Sequence, residues 1–130
     1  MYLLDSNICI YIIKEQPPQV IEKFRQFQPQ QIKLSTVSIC ELAFGVEKSG
    51  LIKNKVALEK FVKPFAIEPF DQACIWHYAR LRNELQAKGQ VIGSLDMLIA
   101  AHALALDATL VTNNVKEFDR VPNLRVENWI

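Results

Sequence analysis

Cysteine is scarce in this chain. Cys9, Cys40 and Cys74 are three in 130 residues, widely spaced and with no Cys-x-x-Cys. That excludes a disulfide framework and a thiolate zinc site, and the three are expected to be buried thiols in a reducing compartment. An excess of either charge is lacking too, since Lys+Arg 15 against Asp+Glu 14 leaves a net charge of +1. A polybasic tail or a binder working by bulk charge is thereby excluded, and any nucleic-acid contact must come from local patches. Long apolar runs are missing as well: the longest early one spans Ile8 to Ile13, just after the acid Asp5. It is too short for a membrane span or a signal-peptide core, so the expectation is a cytoplasmic protein with no membrane partner. What is present is 50% hydrophobic and 22% charged residues, material for one core and one domain over residues 1–130.

Short apolar runs alternate with helical patterns. Tyr2-Leu3-Leu4 is a strand ended by Asp5. Ile8 to Ile13 suits a buried helix capped from Asp5-Ser6-Asn7, although its β-branched content would also suit a strand. After Pro17-Pro18, residues Val20, Ile21, Phe24 and Phe27 share one helical face. Ile32 to Thr36 forms the second strand, and Ile39, Leu42, Ala43 and Val46 make a helical stripe running to about Lys48. A helix over about Asn54 to Val62 stops at Pro64, Ala66 to Glu68 is a third strand, and Asp71 caps a long helix carrying Cys74, Tyr78, Leu81 and Leu85. Ser94 opens a helix that is apolar from Met97 to Leu106 except for His102, and belongs in the middle of the fold. Thr109 to Thr112 is the fourth strand, Asn113-Asn114 a turn, and Leu124 to Val126 an edge strand. The pattern predicts an α/β fold: a parallel sheet of four to five short strands flanked by helices on both faces. In such sheets the active crevice lies at the carboxyl ends of the strands.

Three acids follow strands or open helices at that end: Asp5, Glu41 and Asp96. Drawn together they repel, so either their pKa values rise or a cation sits between them. All-oxygen ligands favour a hard ion, Mg²⁺ or Mn²⁺. Each acid also has a purely structural reading. Asp5 can cap the helix near Ile8, Ser38 and Glu41 match a Ser-x-x-Glu capping box, and Asp96 complements a helix dipole. Gly45, one turn beyond Glu41, leaves that carboxylate without a side-chain neighbour and suits a cavity wall.

The segments Asp5-Ser6-Asn7-Ile8, Glu41-Leu42-x-x-Gly45, Gly93-x-x-Asp96-x-x-Ile99-Ala100-Ala101-His102-Ala103 and Thr112-Asn113-Asn114-x-x-Glu117-Phe118 resemble, in order, the motifs of PIN-domain proteins, with the VapC toxins of bacterial toxin–antitoxin pairs the most similar. The resemblance spans essentially the whole chain. It implies a PIN-like nuclease fold and a Mg²⁺-dependent endoribonuclease. Asp5 and Asp96 would be the principal metal ligands, with Glu41 beside them positioning or deprotonating the attacking water. Ser6, Asn7 and Thr112 would hydrogen-bond the carboxylates. It further implies a structured RNA substrate with tRNA foremost, a cognate VapB-like antitoxin, and a homodimer. Ser6 stands where the family usually has Thr. Asn114 stands where many members have Asp, which leaves Glu117 as the alternative fourth acid and one or two metal ions as the open count.

Other residues carry blander expectations. His77 and His102 lie mid-helix and are expected to pack, with a backbone partner for the ring. The lysines from Lys48 to Lys63 read as a solvated face. Arg80, Arg82 and Lys88 are placed on the crevice side of their helix, with Arg82 and Lys88 the candidates to meet RNA phosphates. Phe61, Phe65, Trp76 and Tyr78 are expected in the core or a dimer contact. A phosphoacceptor domain is disfavoured because Asn7 stands where its second Asp belongs. A PIN-like binding module without catalysis is the competing functional reading.

Overall fold

The computed structural model describes all 130 residues. Five strands form one sheet: β1 Tyr2–Leu4, β2 Ile32–Ser35, β3 Ala66–Glu68, β4 Thr109–Val111 and β5 Val126–Glu127. The spatial order is β3-β2-β1-β4-β5, and every neighbouring pair is parallel. Parallel neighbours require crossovers, and helices supply them. These are α1 Ser6–Lys14, α2 Pro18–Phe24, α3 Thr36–Ser49, α4 Ile52–Val62, α5 Gln72–Ala87, α6 Ser94–Leu106 and α7 Val115–Phe118.

The sheet separates two apolar clusters, and strand alternation assigns each side chain to one of them. Leu3 and Leu110 face a core built with Leu81, Leu85, Met97, Ile99, Ala100 and Phe118, on the side of α5, α6 and α7. Leu4, Leu34 and Val111 face the other, with Ile8, Ile12, Val20, Leu42 and Leu58 from α1 to α4. Burying each such Leu, Ile or Phe contributes about 1.5–3 kcal/mol, so both faces drive folding.

The α/β pattern, the parallel sheet and helices on both faces are as expected, and several details differ. Ala43 and Phe44 of α3 are exposed and only Ser38 and Leu42 are buried on that helix, so its stripe is partly uncovered. Cys40 is exposed for the same reason, whereas Cys9 and Cys74 are buried. Phe27 lies past the end of α2 and stacks on Trp129 with ring centroids 5.3 Å apart. Trp76 is 68% exposed, while Phe61 and Phe65 join an aromatic cluster with Phe24. The stretch after Asn114 holds the four-residue α7, and β5 begins two residues later than its apolar run. His102 is buried, but its Nδ1 partners the Ser35 hydroxyl at 2.8 Å and not a backbone group. Burial lowers its pKa and keeps the imidazole neutral. No helix is long and apolar enough to cross a membrane.

Topology selects where chemistry can happen. Chain order reverses between β1 and β4, and the crevice outside the carboxyl ends at such a switch point is the usual ligand site of open α/β sheets. Asp5 follows β1 and Thr112 follows β4. With Ser35 at the end of β2 they form a row of buried polar residues one strand apart. Alternation turns that row toward α6.

Candidate active site

Asp5 caps a helix with one carboxylate oxygen and meets side chains from elsewhere with the other. Its Oδ1 accepts from the Ser6 N–H at 2.8 Å, opening α1, while its Oδ2 accepts from Thr112 Oγ1 at 2.9 Å and from Asn7 Nδ2 at 3.4 Å. Asn7 Nδ2 also reaches Thr112 Oγ1 at 3.4 Å, and the Asn114 N–H donates to that hydroxyl at 3.0 Å. Burial raises the Asp5 pKa, with Thr112 and Ser6 opposing the rise and the Glu117 charge adding to it.

Glu41 stands in the second turn of α3. The cap of that helix is Ser35, whose hydroxyl accepts from the Val37 N–H at 3.0 Å, so the capping-box reading of Ser38 and Glu41 fails and the carboxylate is free for another role. Burial and the charge of Asp5 raise its pKa, and a hydrogen bond with the Ser6 side chain lowers it. Glu41 lines an apolar groove of about 300 Å³ with Ile10, Leu42, Gly45 and Leu58. Nothing would lie within 4 Å of a side chain at Gly45, which leaves that wall open.

Asp96 lies in the first turn of α6, and Glu117 in α7 is its partner. Burial and the hydrogen bond with Glu117 push Asp96 up to about 8, with the charges of Glu117, Asp5 and Glu41 adding to the rise. The same hydrogen bond lowers Glu117, helped by the Gly93 N–H, Asn114 and Arg120. Of the two, Asp96 is the weaker acid. The Gly93 N–H donates to Glu117 Oε1 at 2.8 Å and Asn114 Nδ2 to Oε2 at 2.6 Å. Glu117 is thus the carboxylate beside Asp96, and Asn114 is hydrogen-bonded to it. Sequence spacing left the two open because α7 is too short to show periodicity.

Arg82 and Lys88 stand apart from the acids in their contacts. Arg82 Nη1 donates to the Tyr78 hydroxyl at 2.9 Å, and Lys88 pairs with Glu84 at 3.1 Å. Arg80 and His77 line a groove with Leu104, Asp107 and Pro122, at the opposite end of α6 from Asp96, so Arg80 is not on the crevice side. The ion pairs are Lys33–Glu68, Lys88–Glu84 and Arg125–Asp107, and none includes Asp5, Glu41, Asp96 or Glu117.

Four carboxylates without an ion-paired cation, all oxygen donors, match the chemistry of a hard divalent ion. As placed, no three His, Cys, Asp or Glu side chains are arranged to hold one. Asp5, Glu41 and Asp96 bind protons more tightly than their ordinary values of 3.8, 4.5 and 3.8. At these groups the folded state carries more protons than the unfolded one, which lowers stability as pH rises toward 8, whereas the lowered pKa of His102 acts in the opposite sense below its ordinary value of 6.5. Calorimetry in EDTA should therefore show Tm decreasing from pH 7 to 8.5, with Mg²⁺ restoring it; a Tm that climbs across this range would contradict the reading.

Comparison with known proteins gives the chain a family. The sequence profile of the PIN domain matches residues 2–124. Ribonuclease VapC2 of Rickettsia felis is 43% identical over 131 residues, covering 99% of this chain and 98% of the relative. The tRNA(fMet)-specific endonuclease VapC of Shigella flexneri is 39% identical, covering 98% and 97%. Among solved structures, VapBC2 from Rickettsia felis bound to a DNA fragment of its promoter superposes with a TM-score of 0.93 at 41% identity, over 99% of this chain and 98% of that one. DNA-bound VapBC from Salmonella typhimurium gives 0.93 at 34% identity, over 99% and 98%.

Proposed function

Since this chain belongs to the PIN-domain family and stands among its VapC ribonucleases, we propose that it is a Mg²⁺-dependent endoribonuclease toxin, one nuclease domain over residues 1–130. Its substrate is a structured RNA, with tRNA foremost. The observation that carries the reading is the meeting of four carboxylates at the sheet's switch point with no lysine or arginine paired to them.

Asp5, Asp96 and Glu41 would hold the ion, with Mn²⁺ an alternative. When bound, the cation supplies Lewis acidity at the scissile phosphate. Thr112 and the Ser6 N–H keep the Asp5 oxygens aimed into the crevice. Asp96 in its ionised form would serve as a ligand, while Glu117 stays held by Gly93 and Asn114. Glu41, raised by burial and by Asp5, accepts the proton of the attacking water as general base. The water oxygen bonds to phosphorus, the P–O bond to the leaving nucleotide breaks, and the departing oxygen takes up a proton from solvent, to which Glu41 later returns its own. Arg82 and Lys88 are the proposed contacts to flanking phosphates.

The apolar groove beside Glu41 suits an extended or helical segment of a VapB-like antitoxin. The uncovered side of α3, with Phe44 exposed, suits a homodimer contact. A cytoplasmic location fits both partners.

Incubating purified, antitoxin-free protein with total cellular RNA tests the proposal. Mg²⁺-dependent cuts, mapped as discrete new 5′ ends in tRNA and abolished by EDTA, are expected. Cutting that persists in EDTA overturns the metal mechanism, and no cutting of any RNA favours the binding-module reading. Thr112→Val, which keeps volume but removes the hydroxyl that orients Asp5, should lower kcat/KM about 10–100-fold. A loss below twofold in steady-state cleavage would show that Asp5 needs no such support.

A further inference from the structure

Resting on the ribonuclease reading, we propose that His102 and Ser35 form a buried tether that sets Glu41 against Asp96, which makes His102 a positioning residue for the reaction. The side chains of both are fully buried, and Nδ1 lies 2.8 Å from Oγ across 67 residues of sequence. Ser35 ends β2 and caps α3, the helix that carries Glu41 six residues on. His102 sits six residues beyond Asp96 on α6. One hydrogen bond therefore joins the two helices that bring these acids together.

The surroundings explain why a directional contact matters. Ile99, Ala100, Ala101 and Ala103 present α6 as a largely small-residue apolar surface, and non-directional apolar attraction on such a face does little to fix rotation or register. A buried hydrogen bond does, because sliding the helix leaves both groups unpaired in a dry core. Ser35 already accepts from the Val37 N–H, so α6 is tied to the cap geometry itself and not merely to a helix surface. Phe70, between β3 and α5, meets the imidazole edge-on with centroids 5.6 Å apart, and its N–H donates to Thr36 Oγ1 at 3.2 Å. The ring is thus clamped from a third element. His102 Nε2 has no partner.

The experiment compares His102→Leu, His102→Asn, Ser35→Gly and the His102→Leu/Ser35→Gly pair with the unmodified protein. Asn retains a polar atom near the Nδ1 position, and Gly remains an adequate helix cap while removing the hydroxyl. Mg²⁺ binding is read by titration calorimetry, and RNA cleavage by kcat and KM separately. His102→Leu and Ser35→Gly should each weaken Mg²⁺ binding about tenfold and lower kcat about 10–100-fold, with KM within about twofold. His102→Asn should recover most of the loss, and the pair should be no worse than either single change. The proposal is overturned if Mg²⁺ affinity and kcat stay within about twofold in the single variants, or if His102→Asn is as impaired as His102→Leu. Should His102→Leu fail to fold, Ser35→Gly and His102→Asn decide: loss in the first with retention in the second supports the tether, and any other pattern overturns it. If the unmodified protein cuts no RNA, the ribonuclease reading falls, while the Mg²⁺ isotherms still decide the tether.

Discussion

Asp5→Asn lowers RNA cleavage in Mg²⁺ by about 10²–10³-fold or more while leaving the protein folded. The two halves of this expectation have separate causes. Asparagine caps helices as well as aspartate does, so the bond from the Ser6 N–H at 2.8 Å survives and α1 starts where it did. The Thr112 hydroxyl can rotate to accept from the new amide. What disappears is the charge at the innermost point of the crevice, the one group with like-charge coupling to both Glu41 and Asp96. A neutral amide is a poor ligand for a hard divalent ion. Because burial and repulsion disfavour the Asp5 carboxylate, its removal should also raise Tm in EDTA at pH 8. Single-turnover cleavage on a mapped substrate checks the first half and calorimetry the second. Wild-type cleavage by the variant would remove Asp5 from the catalytic set.

Phe118→Ala should cost about 3–5 kcal/mol of stability, the usual range for emptying a fully buried aromatic site. Phe118 is completely buried in the cluster around Leu85, Ile92 and Ile99. It ends a helix of only four residues, Val115–Phe118, too short to persist by its own hydrogen bonds. The ring is therefore what holds α7 down, and α7 presents Glu117 to Asp96. A fall in Tm of about 10 °C or more is expected, with reduced cleavage at temperatures where the protein is still folded. Urea unfolding with an unchanged m-value would confirm a stability loss on the native side. A change below 1 kcal/mol would mean that α7 is held by its polar contacts alone.

Much of this was legible in the chain. Asp5 after an apolar triplet, Asp96 at the start of an apolar helix, and strands alternating with helices together placed acids at one end of a parallel sheet. The four ordered motifs pointed to the same family that the comparisons show. Other features had no one-dimensional signal. Ser38 and Glu41 fit the capping-box pattern, yet Ser35 caps α3, because a cap depends on where the strand releases the backbone and not on spacing alone. Cys40, Ala43 and Phe44 look like interior residues but lie where no other element of this chain covers α3.

The charge balance of +1 and the shortage of cysteine, read alone, argued against bulk electrostatic binding and thiolate chemistry. Local sequence determined the elements and the face each buries, because periodicity and punctuation act between neighbours within a few residues. Only the tertiary structure decided which acids meet. Asp5 and Thr112 are 107 residues apart and hydrogen-bonded, and Glu117 rather than Asn114 joins Asp96. Contacts across such separations are chosen by sheet order and helix packing, where every strand and helix competes for the same core, and no local pattern records the outcome.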